Sequence, residues 1–150
     1  MANSKPSDAS MDALLEEFKV KPPVHLRTGN LSFDLLSEGQ GILMGGITLV
    51  TGQSSIGKST NCMSIAKGLA KLGHKTIYVA SEYAENLATS MGIIGNDLYE
   101  DSIKMVNTTI YDDLERMFWA FLKSDFTLMI IDSLTAFAPS DRAAGSLSIT

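Results

Sequence analysis

The spacing of apolar residues changes period along the chain, and the changes mark out its elements. Met11, Leu14, Leu15 and Phe18 recur at helical spacing and predict a short amphipathic helix that ends before Pro22-Pro23. A helix isolated by a double proline needs a surface for its stripe, and a neighbouring subunit is favoured over its own domain. From Ile47 onward the pattern alternates between strand and helix. Ile47-Thr48-Leu49-Val50-Thr51 reads as a buried strand, 58–72 as a helix stopped by Gly73, and 76–81 as a second strand. A short helix over 86–91 ends near Gly92, and a third strand covers 103–107. Thr109 and Asp112 resemble a capping box with Asp in place of Glu. They open a helix with Tyr111, Leu114, Met117, Phe118, Phe121 and Leu122 on one face and Trp119 beside it, read as a packing residue. Phe126-Thr127-Leu128-Met129-Ile130-Ile131-Asp132 is the last strand. This alternation predicts an α/β fold with a mainly parallel sheet flanked by helices.

Composition adds boundaries to that picture. The chain has 150 residues, 45% hydrophobic and 19% charged, enough for one domain with a sizeable core. No apolar run approaches the roughly 18 residues of a membrane span, and the first ten residues are polar and unlike a signal peptide, so no membrane association and a cytoplasmic location are expected. Cys62 is the single cysteine, which excludes an intrachain disulfide and reads as a packed thiol. His25 and His74 lack metal-ligand spacing and read as surface or loop residues. A net charge of −5 argues against nucleic-acid binding as a bulk property, because phosphate neutralisation needs clustered Lys and Arg.

The chemistry concentrates between the first strand and the helix after it. Gly52-Gln53-Ser54-Ser55-Ile56-Gly57-Lys58-Ser59-Thr60 fits G-x-x-x-x-G-K-[ST] in the strand–loop–helix context that the pattern requires. Its glycines let successive backbone N–H groups face phosphate oxygens, Lys58 reaches the β- and γ-phosphates, and the Ser59 hydroxyl can ligate Mg²⁺. The positive N-terminal end of the helix favours the same anion. Asp132 ends an apolar strand, where an open α/β sheet places its ligands, and is a candidate for the Mg²⁺ water shell. Glu82 follows the second strand and is a candidate for orienting the water that attacks the γ-phosphate.

Together these residues resemble the RecA family of DNA-recombination ATPases, especially its bacterial and phage recombinases, over roughly 27–140. Arg27-Thr28-Gly29-Asn30-Leu31-Ser32-Phe33-Asp34 is similar to the family's T-G-x-x-x-x-D approach to the core, and Gly41-Ile42-Leu43-Met44-Gly45-Gly46 to its approach to the first strand. Ser81-Glu82 lies where the family carries its catalytic glutamate, and Asp132-Ser133-Leu134-Thr135-Ala136-Phe137-Ala138-Pro139 resembles its D-S-x-x-A-x-x-P stretch. The resemblance implies a RecA-like P-loop NTPase core in which ATP and Mg²⁺ are cofactors, Lys58 and Glu82 are catalytic, and Ser59 and Asp132 serve the metal. Thr60 would approach the α-phosphate or the adenosine. The aromatic residue that stacks on adenine in the family has no counterpart among Leu87, Ala88 and Thr89, so ATP over GTP is less firmly implied than phosphate binding.

The family also places a further strand, encoded after the Asp132 strand, between that strand and the phosphate-loop strand. The resemblance therefore implies that 28–150 is the N-terminal portion of a longer ATPase domain; before it, the small polar residues 1–9 read as disordered and 10–27 as an arm of helix and linker. Residues 140–150 look like the start of the family's first DNA-binding loop. Single-stranded DNA is the expected partner, bound largely through regions beyond residue 150 by a homo-oligomer, a filament rather than a ring. Four readings stay open: this recombinase; a helicase, RadA-like repair factor or clock-type ATPase on the same core; a non-catalytic nucleotide-binding assembly module; and a small-molecule kinase, which the 132–139 stretch disfavours.

Overall fold

The computed structural model describes residues 8–17, 22–81, 92–93 and 101–139. Helix α1 spans Asp8–Glu17, so Asp8 and Ala9, expected in a disordered tail, form its first turn. Phe18, the last member of its predicted stripe, lies outside the described residues, as do the 86–91 helix and the 140–150 segment. After the prolines, β1 (His25–Leu26) pairs antiparallel with β2 (Ile42–Leu43), and α2 (Leu31–Leu36) sits between them in sequence.

The main sheet is parallel, with order β4-β3-β5: β3 is Thr76–Ala80, β4 Ile103–Asn107 and β5 Leu128–Asp132. Helix α3, Lys58–Lys71, packs on it through Met63, Ile65, Ala66, Leu69 and Ala70, a helical stripe fully turned to the core. Pleating sends Thr76, Tyr78 and Ala80 to one face of β3, and Tyr78 and Ala80 join Met63, Ala66, Ala70 and Ile103 in one cluster. Gly73, in the left-handed region at φ 84°, follows the end of α3 as its position predicted.

The segment 27–34 is held by its own carboxylate. Asp34 accepts from the Thr28 N–H at 3.0 Å, the Thr28 hydroxyl at 2.7 Å and the Gly29 N–H at 3.1 Å. This explains T-G-x-x-x-x-D physically: the aspartate closes the turn that the threonine and glycine open. Partial burial pulls the Asp34 carboxyl upward, but the Thr28 and Gly29 hydrogen bonds and the nearby Arg27 charge outweigh it and hold the group below its ordinary range. The closed turn then lies against α3. Asn30 caps α2 through Phe33 N–H at 3.1 Å and donates its amide to Asn61 of α3 at 2.8 Å. A Cβ on Gly68 would stand 2.0 Å from the Thr28 carbonyl oxygen, so only glycine permits this backbone-to-backbone approach.

Three expectations require correction. The segment 47–51 forms no strand; Ile47 is 99% and Leu49 81% exposed. A strand needs a ladder partner and covered faces, and among the described residues the sheet ends at β5, with no strand between it and this segment. That is also why β5 is only half-buried along its length. Helix α4, Tyr111–Phe121, has Ile110 as its N-cap residue with no side-chain cap. Thr109 is unavailable because its carbonyl accepts from Ala138 N–H at 2.9 Å, and Tyr111 N–H donates to the Ala138 carbonyl at 3.0 Å, which keeps the chain extended through Ile110. Finally, Trp119 is 56% exposed and touches Phe118 edge-on, so it does not pack in the core; Leu114 is the one fully buried member of the predicted stripe.

Two outcomes follow. Gly68→Ala should lower unfolding stability by about 1–3 kcal/mol, since backbone on the far side cannot yield as a side-chain tip would; an unchanged urea midpoint would contradict the close approach. The Asp34 group, with its pKa lowered in the folded state, contributes stability above the ordinary aspartate value of 3.8 that is lost as the pH falls through the folded value. Asp34→Asn should therefore be less stable at neutral pH and lose less stability on acidification, as read by thermal melts across pH 2–7.

Candidate functional site

The register of the sheet brings the site together. β3 and β5 run parallel from Thr76↔Leu128 to Ala80↔Asp132, so Asp132 stands at the carboxyl end beside the last residue of β3. Ser81, buried, closes the pairing one residue further on. Its N–H donates to the Asp132 carbonyl at 2.9 Å, and its hydroxyl accepts from Ser133 N–H at 2.8 Å. The same hydroxyl lies 3.1 Å from the Asp132 carbonyl and 3.0 Å from that of Ser133, either of which takes its hydrogen. Ser81 thereby sets where the chain leaves the sheet toward Glu82, which lies outside the described residues.

Beneath Asp132 is Tyr78, 1% exposed, whose hydroxyl meets Asp132 Oδ2 at 2.6 Å. Burial raises the phenol's pKa, the Asp132 carboxylate raises it further, and the nearby Ser59 side chain works in the opposite direction. The phenol therefore remains protonated and donates to Asp132, at the end of β5, while Ser59 stands in the first turn of α3. Cys62, one turn along α3, is a free, half-buried thiol. Burial and then the Asp132 charge push it up, so it stays protonated, in keeping with a packed thiol.

The phosphate-loop residues Gly52, Gln53, Ser54, Ser55, Ile56 and Gly57 are exposed, and they turn through Ser55 at φ 60° and Gly57 at φ 94° into α3. Gly57 is the N-cap residue of α3 and supplies no side chain, and no acid occupies the first turn. The N-terminal end of a 14-residue helix is thus left without a side-chain anion of its own. Lys58 reaches back across the loop and donates to the carbonyls of Gly52 at 3.1 Å and Gln53 at 2.8 Å. An ammonium group held over a loop of backbone N–H groups can receive an anion with several oxygens. Thr60, next in the helix, is exposed.

Ser59, in the first turn of α3, and Asp132, at the carboxyl end of β5, offer a hydroxyl and a carboxylate as hard oxygen donors. Such a pair suits Mg²⁺, which binds through one or two protein oxygens and completes its shell with phosphate and water. Among the described residues no group of three or more His, Cys, Asp and Glu forms a closed metal cage. Sequence reading did not single out Tyr78, and it named Ser81 only as the neighbour of Glu82. A tyrosine on the helix-facing side of an apolar strand is the signal for the first, because a buried phenol needs a partner for its hydroxyl. Ser81 had no comparable signal, since its contacts exist only once β5 lies alongside.

Residues 26–119 match the family described as "ATPase: KaiC". The chain is 33% identical over 118 residues to the DNA repair protein RadA of Helicobacter pylori, which covers 73% of this chain and 24% of that protein. It is 26% identical over 136 residues to RadA of Campylobacter jejuni, covering 91% and 29%, and 28% identical over 148 residues to RadA of Chlamydia muridarum, covering 97% and 31%. The chain therefore spans less than a third of the length of the curated relatives it matches. The family match includes both the Thr28–Asp34 turn and the phosphate loop, the two features packed together on α3, and the chain belongs to the KaiC family of ATPases, within the RecA superfamily.

Proposed function

We propose that this chain forms the nucleotide-binding part of a DNA-repair ATPase that binds ATP with Mg²⁺ and hydrolyses it in response to single-stranded DNA. The observation that carries this reading is Asp132 at the carboxyl end of β5, held by the buried Tyr78 hydroxyl, together with the exposed phosphate loop that opens α3. Such a loop and acid are common to P-loop NTPases; the RadA relatives, named as DNA repair proteins, favour repair.

In this reading the loop N–H groups and Lys58 hold the β- and γ-phosphates and stabilise charge that develops on them during transfer. To do so Lys58 gives up its bonds to the Gly52 and Gln53 carbonyls for phosphate oxygens. Ser59 and Asp132 would hold Mg²⁺, which supplies neutralisation of phosphate charge when bound. Glu82, reached through Ser81, would orient the attacking water in line with the bond that breaks. A cytoplasmic location accompanies the proposal, and among the described residues no helix is long and apolar enough to cross a membrane.

A second reading, a recombinase that assembles as a filament on single-stranded DNA, is favoured by the 132–139 stretch, Asp132-Ser133-Leu134-Thr135-Ala136-Phe137-Ala138-Pro139. Helical filaments on DNA in electron micrographs would support it over a ring-forming repair ATPase.

ATP hydrolysis measured with and without single-stranded DNA tests the main reading. Stimulation by DNA is expected, with Lys58→Ala losing nucleotide binding or turnover and Glu82→Gln retaining binding but hydrolysing about 100-fold more slowly. Hydrolysis indifferent to DNA would contradict the DNA-repair role, and undiminished turnover in Glu82→Gln would remove that residue from the chemistry.

A further inference from the structure

We propose that Tyr78 is a positioning residue for the metal site, fixing through its hydrogen bond to Asp132 how that carboxylate presents its remaining oxygen. The inference rests on the ATPase reading above and adds to it a residue that the motifs do not contain.

The direction of the bond follows from donor capacity. A carboxylate only accepts, so the single hydrogen of the Tyr78 hydroxyl goes to Asp132 Oδ2, 2.6 Å away. Asp132 has one oxygen engaged by Tyr78 and the other left for a metal-bound water. That orientation is the one a metal site needs, and it is set before a metal arrives.

The contact is rigid because the tyrosine is. The Tyr78 ring is clamped among Met63, Ala66, Ala70 and Ile103, so the hydroxyl cannot follow Asp132 if the carboxylate moves. The bond to Asp132 is short and charge-assisted, and a group that orients a metal ligand in this way commonly controls metal affinity by tenfold or more. A tyrosine that merely satisfied a buried hydroxyl would affect folding but not the response to Mg²⁺.

The test is equilibrium binding of a non-hydrolysable ATP analogue to the full chain, with Mg²⁺ and with EDTA. Wild type should bind more tightly with Mg²⁺. Tyr78→Phe, which keeps the ring, should bind equally well in EDTA but lose about tenfold of the Mg²⁺-dependent tightening. In an Asp132→Asn background the same substitution should change little further. Full Mg²⁺ tightening in Tyr78→Phe would overturn the positioning role of Tyr78 and leave the ATPase reading standing; a wild type without affinity for the analogue would overturn both. Should Tyr78→Phe fail to fold, 3-fluorotyrosine placed at position 78 reports the same contact. Its ¹⁹F resonance should shift when Mg²⁺ is added to the analogue-bound chain, and an unmoved resonance would refute the proposal.

Discussion

The parallel pairing of β3 with β5 is the constraint on which the rest of the site depends. Because the register ends at Ala80↔Asp132, the aspartate emerges beside the strand that leads to Glu82 and directly over the Tyr78 ring. Ser81 then bonds across both chain ends, which holds the register where its strand hydrogen bonds run out. A slip of one residue would send Asp132 to the opposite face of the sheet, away from α3 and Ser59. The chemistry at the carboxyl edge is therefore a consequence of strand pairing that begins at Thr76, four residues earlier.

Helix α3 connects that edge to the remainder of the molecule. Its first turn carries Lys58 and Ser59, its middle supplies the core stripe, and Gly68 admits the Thr28–Gly29 backbone. The Asp34-closed turn thus braces α3 along its length, at Asn61 in the first turn through Asn30 and at Gly68 further on through the Thr28–Gly29 backbone.

Much of this was legible in the residues themselves. The 58–72 helix with its terminal Gly73, the strands at 76–81 and 103–107 and the acid-ended strand at 126–132 all appear within a residue or two of their expected bounds, because each carries strong periodicity or a defined stop. The 47–51 segment has equally strong strand character but lacks a ladder partner among the described residues, and no local pattern reveals whether a partner exists. Thr109 and Asp112 looked like a cap because capping is a local signal, yet the Ala138 contact that keeps Thr109 extended is not. Trp119 reads as packing because it falls beside the apolar stripe, whereas its angle on α4 turns it outward. Tyr78 escaped notice for the complementary reason: it reads as an ordinary strand residue until the partners of its hydroxyl are known.

What emerges is an exposed loop that opens α3 and, at the carboxyl end of β5, an aspartate already oriented by a buried phenol. The central claim, that the loop from Gly52 to Thr60 closes on nucleotide phosphates, is tested most directly by amide hydrogen exchange with and without saturating ATP and Mg²⁺. The account predicts slowed exchange across 52–60, as loop N–H groups engage phosphate oxygens. Exchange across those residues that is unchanged by nucleotide would contradict it.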